Sequence, residues 1–181
     1  MDIRPYVIIA ERRARSDGRT GIAVDLGFGS GAVPIFLLQR GWHVTAVDVD
    51  AVAVDDLHAR VPKDLRPLLT VLCADFRALQ LPVCKFINAG YVLQYVSPRE
   101  FRKFWKNMTH LLEKNGVFAG NFFGKDDLFA NYHQYSTFFS QEIEELFRGW
   151  DVFFWEEYSG MGQRNPDRKW HFFTICAQKL C

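Results

Sequence analysis

The sequence predicts an α/β fold: a doubly wound, mostly parallel seven-stranded sheet that ends in an antiparallel hairpin. Three observations carry this. Short apolar runs alternate with helix-period segments through most of the 181 residues. Four polar residues, Asp25, Asp48, Asp75 and Asn88, each fall where such a run stops. Two strand-like runs, Asp151 to Tyr158 and Lys169 to Gln178, close the chain and are joined by the polar, Gly-containing stretch Ser159 to Arg168, the pattern of a long hairpin.

The elements follow in order. Arg4 to Arg15 reads as a lead-in helix with Pro5 in its first turn, a position that tolerates a missing N–H. Ser16-Asp17-Gly18 breaks it. Gly21 to Leu26 is the first strand, and Ala32 to Gln39 the next helix, with Pro34 in its first turn and Gly41 beyond its end. His43 to Val47 is a strand ending at Asp48; Asp50 caps a helix that runs to about Arg60, where Val61-Pro62 stops it. Leu68 to Cys73 and Cys84 to Ile87 are the third and fourth strands. Ser97, Pro98 and Glu100 predict a capping box, followed by a stripe of Phe101, Phe104, Trp105, Met108, Leu111 and Leu112 at helical spacing. Asn115-Gly116 ends that helix before the strand Val117 to Phe123, and Ser140 opens a last helix with Ile143, Leu146 and Phe147 on one face. The chain reads as one domain over 1–181, with 1–18 as the lead-in and 19–181 as the core.

Composition narrows the function. A formal net charge of +1 argues against a protein built mainly to bind nucleic acid or an anionic membrane. The basic cluster Glu11 to Arg15 reads as the solvated end of a helix. Cys73, Cys84, Cys176 and Cys181 show no CxxC spacing, so no metal site is expected and a reducing cytoplasm fits. Arg4 and Pro5 interrupt the N-terminus before any long apolar run, so no signal peptide or membrane span is expected.

The chemistry concentrates in Asp25-Leu26-Gly27-Phe28-Gly29-Ser30-Gly31. Glycines at this spacing turn the backbone sharply and let a ligand approach it, and the turn feeds a helix N-terminus. Gly27 to Ala32 also satisfies GxGxxG/A, with an acid, Asp48, near the spacing of a ribose contact. A dinucleotide therefore fits the glycines. Asp25 favours another ligand, because a carboxylate repels a pyrophosphate and attracts a cation. S-adenosylmethionine carries an α-amino group and a sulfonium. Asp48 can then accept from the ribose hydroxyls, with Val49 beside it, and Asp75 can accept from an adenine amine while Phe76 covers the ring.

These motifs together resemble the class I S-adenosylmethionine-dependent methyltransferases, in order from Gly21 to Lys179. Asp25 to Gly31 resembles the DxGxGxG loop; Val47-Asp48-Val49-Asp50 resembles the acidic end of the second strand; Ala74-Asp75-Phe76 resembles the adenine contact. Leu112 to Phe118 is similar to the LKPGG turn, with Asn115 where Gly is common. The tail, with Glu157 and Lys169 to Phe172, is similar to small stand-alone members of the tellurite-resistance type. The resemblance implies a Rossmann-like fold, S-adenosylmethionine as cofactor with S-adenosylhomocysteine as product, and a cofactor site built from Asp25, Gly27, Phe28, Gly29, Gly31, Asp48, Val49, Asp75, Phe76 and Asn88. Phe28 stands where a small residue is usual, and is expected to crowd the methionine end. The N-terminus is short, so a lid is expected to be reduced or supplied by a second subunit.

Methyl transfer from a sulfonium requires alignment more than acid–base chemistry, and no base stands out. Tyr91 and Tyr95 after the fourth strand, His133 in the stretch Asn131 to Tyr135, and His171 are the candidate substrate-binding residues. Asn88 to Tyr91 lacks the prolines of the NPPY signature of amino- and amide-nitrogen methyltransferases. A small, partly apolar acceptor is expected, and a protein that is a monomer or homodimer. A nicotinamide-dependent oxidoreductase and a catalytically silent module of the same fold remain open at this point.

Overall fold

Residues 3–162 and 168–180 are described by the computed structural model. Pro5 starts α1 (Pro5–Ala14), where its lacking N–H leaves no hydrogen bond unmade. The chain then alternates: β1 (Ile22–Leu26), α2 (Ala32–Leu38), β2 (His43–Asp48), α3 (Ala51–Arg60), β3 (Leu69–Cys73) and β4 (Cys84–Ala89). It continues through α4 (Pro98–His110), β5 (Leu112–Phe123), α5 (Ser140–Leu146), β6 (Trp150–Met161) and β7 (Lys169–Lys179).

The seven strands form one sheet in the order β3-β2-β1-β4-β5-β7-β6. The first five lie parallel, and β7 runs antiparallel between β5 and β6. The order reverses between β1 and β4, which opens a crevice at their carboxyl ends. Strand alternation divides the core in two. Val24, Leu26, Ile87, Phe118 and Phe122 face α4 and α5, with Phe101, Trp105, Met108, Ile143 and Phe147. Ala23, Val44, Ala46, Phe86 and Ala119 face the other helices, with Val7, Leu37 and Leu57. By the same alternation Asp25, Asn88 and Asn121 share the α1 face.

The structure differs from the sequence reading at three elements. Ser97 is the N-cap of α4 and Pro98 its first residue, but Ser97 makes no side-chain cap. Its Oγ donates to Glu100 Oε2 at 2.7 Å, while the Glu100 N–H is taken by the Ser97 carbonyl at 3.0 Å. The helix ends at His110, five residues before Asn115, because Leu112 already pairs with Cys84 at the start of β5. Asn115 does adopt the left-handed conformation, φ 64°, inside that irregular strand entry. The cluster Glu11 to Arg15 is no solvated end. Glu11 is buried and accepts from Trp42 Nε1 at 3.0 Å and Arg15 Nη1 at 3.3 Å, with Arg40 at 3.6 Å. Arg13 bonds to Asp151 and Gln178. A carboxylate that two cations and an indole can reach tolerates burial, so this seam fastens α1 to α2 and β6.

Cys84 and Cys176 are buried and Cys73 is exposed; Cys181 lies outside the described residues. Among the described residues no group of side chains could hold a metal ion, and no helix is long and apolar enough to cross a membrane.

Candidate functional site

The turn after β1 is held by the neighbouring strand. Gly27 and Phe28 donate their backbone N–H groups to the Val47 carbonyl at 2.8 and 3.3 Å. Gly29 N–H donates to Asp48 Oδ2 at 2.7 Å, and Asp50 N–H donates to Asp48 Oδ1 at 3.1 Å. Gly27 has φ +64°, and a Cβ there would sit 2.6 Å from Val92. Gly29 has φ +51° with nothing within 4 Å of such a Cβ, so its backbone is open to a ligand. Gly31, also left-handed, precedes α2. Asp50 is the cap of α3, accepting from Val52 N–H at 2.9 Å, which leaves Asp48 free of that duty.

Phe28 departs from expectation. Its ring is 6% exposed and belongs to the apolar cluster beneath α1 and α2, so its bulk fills core. Phe28→Ala is expected to cost about 3–5 kcal/mol of stability while moving S-adenosylhomocysteine affinity less than about threefold. Chemical denaturation beside calorimetry checks both. A large affinity gain with little loss of stability would return Phe28 to the cofactor wall.

Asp25 and Asn88 are register partners on β1 and β4. Both are buried, and Asn88 Nδ2 donates to Asp25 Oδ1 at 2.6 Å. Asp25 Oδ2 and Asn88 Oδ1 are buried with no partner among the described residues. Burial pushes the Asp25 carboxyl up to about 7, against the Asn88 hydrogen bond, and the Asp48 charge adds to the rise. Two acceptors left without donors at a strand end leave room for a group rich in N–H.

Beside this pair stand residues the sequence reading missed. Tyr6 of α1 is buried, and its hydroxyl donates to Asn121 Oδ1 at 3.2 Å. Asn121 Nδ2 in turn donates to Thr174 Oγ1 at 2.9 Å. A Cβ on Gly90 would lie 2.9 Å from the Tyr6 hydroxyl, so α1 sits directly over the end of β4. The Arg4 guanidinium lies 4.6 Å over the Tyr91 ring. The short N-terminus is therefore docked on the strand ends. Asn121, a polar residue inside an apolar strand, was the one signal available in the sequence. Nothing local linked it to a tyrosine 115 residues away.

Tyr91 has φ 56°, a conformation costly for a bulky residue. Its ring packs on Phe172 at 5.2 Å and Phe123 at 6.1 Å. Gln94 Nε2 donates to the Tyr91 carbonyl at 2.7 Å. Tyr95 is half-exposed and packs on Phe129 and Tyr135, which ties the loop carrying exposed His133 to the loop after β4.

Four further candidates complete the set. Val49 is exposed beside Asp48. Phe76 is 7% exposed and packs edge-on against Phe104 at 5.4 Å, and both residues line the groove that Asp75 also borders. Asp75 caps a 3₁₀ turn (Phe76–Ala78) and is engaged by Arg77, whose hydrogen bonds hold its carboxyl below the usual range. His171 is buried with both ring nitrogens used: Nδ1 accepts from Asp126 N–H at 3.1 Å, and Nε2 meets Glu157 Oε1 at 2.9 Å. The amide fixes the proton on Nε2. No lone pair remains for a substrate, and His171 is a strut of the hairpin.

A methyltransferase-domain family model matches residues 23–116, more than half of the chain. The fold is similar to TehB from Haemophilus influenzae, with TM-score 0.77 and 21% identity over 98% of this chain and 62% of that one. The chain therefore spans less than two thirds of TehB. It is similar to the 1,6-didemethyltoxoflavin-N1-methyltransferase of Burkholderia thailandensis, whose structure holds 1,6-didemethyltoxoflavin and S-adenosylhomocysteine (TM-score 0.72, 20% identity, 98% of this chain, 78% of that one). The N-methyltransferase NodS of Bradyrhizobium japonicum WM9, in complex with S-adenosylhomocysteine, gives TM-score 0.69 and 16% identity over 98% of this chain and 89% of that one. No curated protein matches the sequence. The solved structures share the fold; the family match spans the glycine turn and the ends of β1 to β4, and with it the chain belongs to the class I S-adenosylmethionine-dependent methyltransferases.

Proposed function

We propose that the protein methylates a small-molecule acceptor, with the cofactor lying along the ends of β1, β2 and β3 and the acceptor against the loop after β4. The observation that carries this is the Asp25–Asn88 pair. A buried carboxylate with one unpartnered oxygen, beside a second unpartnered acceptor, suits an α-ammonium group with three N–H donors. The same carboxylate disfavours a pyrophosphate, which weighs against a nicotinamide cofactor.

Asp48 would accept from the ribose hydroxyls. Each of its oxygens accepts one backbone N–H and retains capacity for another donor. The backbone of Gly27, Gly29 and Gly31 would run beside the methionine portion, and Val49 beside the adenine. When bound, S-adenosylmethionine supplies an electrophilic methyl on a sulfonium, with S-adenosylhomocysteine as leaving product. The chain's part is to hold and orient. Tyr91 and Tyr95 would form the acceptor wall, with Arg4 and Tyr6 closing it from α1 and His133 on the adjoining loop. An aromatic wall suits a partly apolar acceptor. The 1,6-didemethyltoxoflavin-N1-methyltransferase, which shares the fold, holds the small molecule 1,6-didemethyltoxoflavin in its structure.

Calorimetry with S-adenosylmethionine, S-adenosylhomocysteine and NADH tests the reading. Both adenosyl ligands are expected to bind, and NADH to give no heat. Silence with both adenosyl ligands would overturn it. A screen with methyl-labelled cofactor then identifies the acceptor; label appearing only on protein or nucleic acid would remove the small-molecule assignment.

A further inference from the structure

The carboxylate at the end of β3 is engaged on both oxygens by one residue. Asp75 Oδ1 accepts from the backbone N–H and from Nε of Arg77, both at 2.9 Å. Oδ2 accepts from Nε at 2.9 Å and from Nη2 at 2.5 Å. Nε carries one hydrogen and shares it between the two oxygens, so three N–H groups of Arg77 occupy most of the about four acceptor directions a carboxylate offers. An adenine amine must compete with the guanidinium for Asp75 while this arrangement holds. The guanidinium also donates through Nη1 to the Tyr95 carbonyl at 3.0 Å, tying the turn after β3 to the loop after β4. A receiving carboxylate is at hand. Glu100, in the first turn of α4, lines the same groove as Arg77, a space of ≈ 880 Å³, and its charge acts on the guanidinium.

We propose that Arg77 is a latch on the adenine subsite, holding Asp75 in the free protein and passing to Glu100 when adenine is seated. This rests on the functional reading above, which puts adenine beside β3. The sequence D-F-R holds the latch within one turn, so it forms without long-range ordering. Both partners are substantially exposed, with side chains 44% and 38% accessible. Solvent therefore competes for the pair, and the expected effect is modest.

The test is calorimetry on the full chain with S-adenosylhomocysteine and with S-inosylhomocysteine, whose carbonyl replaces the amine. Arg77→Ala is expected to tighten S-adenosylhomocysteine by about three- to tenfold and to leave the inosyl ligand unchanged. Adding Asp75→Ala to Arg77→Ala should erase the gain. Glu100→Gln alone should weaken S-adenosylhomocysteine about twofold to threefold, and have no effect once Arg77 is gone. An Arg77→Ala protein with unchanged S-adenosylhomocysteine affinity, or one that loses both ligands alike, overturns the latch. Wild-type protein that binds neither ligand overturns the functional reading instead.

Discussion

Asp25→Asn is expected to stabilise the free protein at pH 8 and to weaken S-adenosylmethionine binding by more than about tenfold. The two effects have one cause. Burial lifts the Asp25 carboxyl to about 7, far above its value in an unfolded chain. Between about pH 4 and pH 7 the folded protein keeps a proton that the unfolded chain has lost. Stability therefore falls as pH rises through that window and levels off above it. A shift of this size corresponds to on the order of 4 kcal/mol as an upper bound. The asparagine can still accept from Asn88 and carries no charge, so the melting temperature at pH 8 should rise by roughly 5 °C or more. Binding runs the other way. An ammonium ligand needs the ionised carboxylate, so wild-type affinity should increase about tenfold from pH 6 to pH 8, and the variant should lose that dependence. Calorimetry and thermal melts at both pH values measure this. Wild-type affinity that is flat across the range would separate Asp25 from the ammonium.

Asp48→Ala should weaken S-adenosylhomocysteine by more than about tenfold through two losses at once. The ribose would lose its acceptor, and the Gly29 N–H would lose the partner that holds it at 2.7 Å. Loosening of the turn should appear as faster hydrogen exchange at Gly29, with Gly27 less affected because its N–H is held by the Val47 carbonyl. An unchanged dissociation constant would remove Asp48 from the ribose; unchanged exchange at Gly29 would show that the turn is held by its strands alone. The contrast with Phe28 is useful. Phe28 touches the core and should report on stability, whereas Asp48 should report on the ligand.

Much of the fold was readable because its signals are local. Period-two and period-3.6 apolar patterns identified all seven strands and five helices, and Pro, Gly and Asp marked most of their ends. The end of α4 was misread for a physical reason. A helix-compatible run, Leu111 to Lys114, was taken by pairing with β4, and tertiary pairing outweighs propensity at an element boundary. The capping box at Ser97 failed because the Ser97 carbonyl, rather than its hydroxyl, reached the Glu100 N–H.

The site divides in the same way. Asp25, Gly27, Gly29, Asp48 and Asn88 could be named as candidates because each sits at a strand end or in a glycine turn, features that spacing alone reveals. Which way side chains point was decided only by the packed structure. Phe28 looked like a ligand neighbour and became core, because an apolar ring gains more by burial than by lining a cleft. His171 looked available, but Asp126 and Glu157, distant in sequence, occupy both its nitrogens. Glu11 looked solvated and is buried among Trp42, Arg15 and Arg40. Tyr6 and Asn121 meet across 115 residues. The sequence by itself therefore determined the alternation of strands and helices, the glycine turn and the acids around it, all properties of neighbours along the chain. Tertiary structure decided which carboxylates are buried, satisfied or left with a free oxygen, because burial and hydrogen-bond partners are set by residues that meet only when the sheet closes.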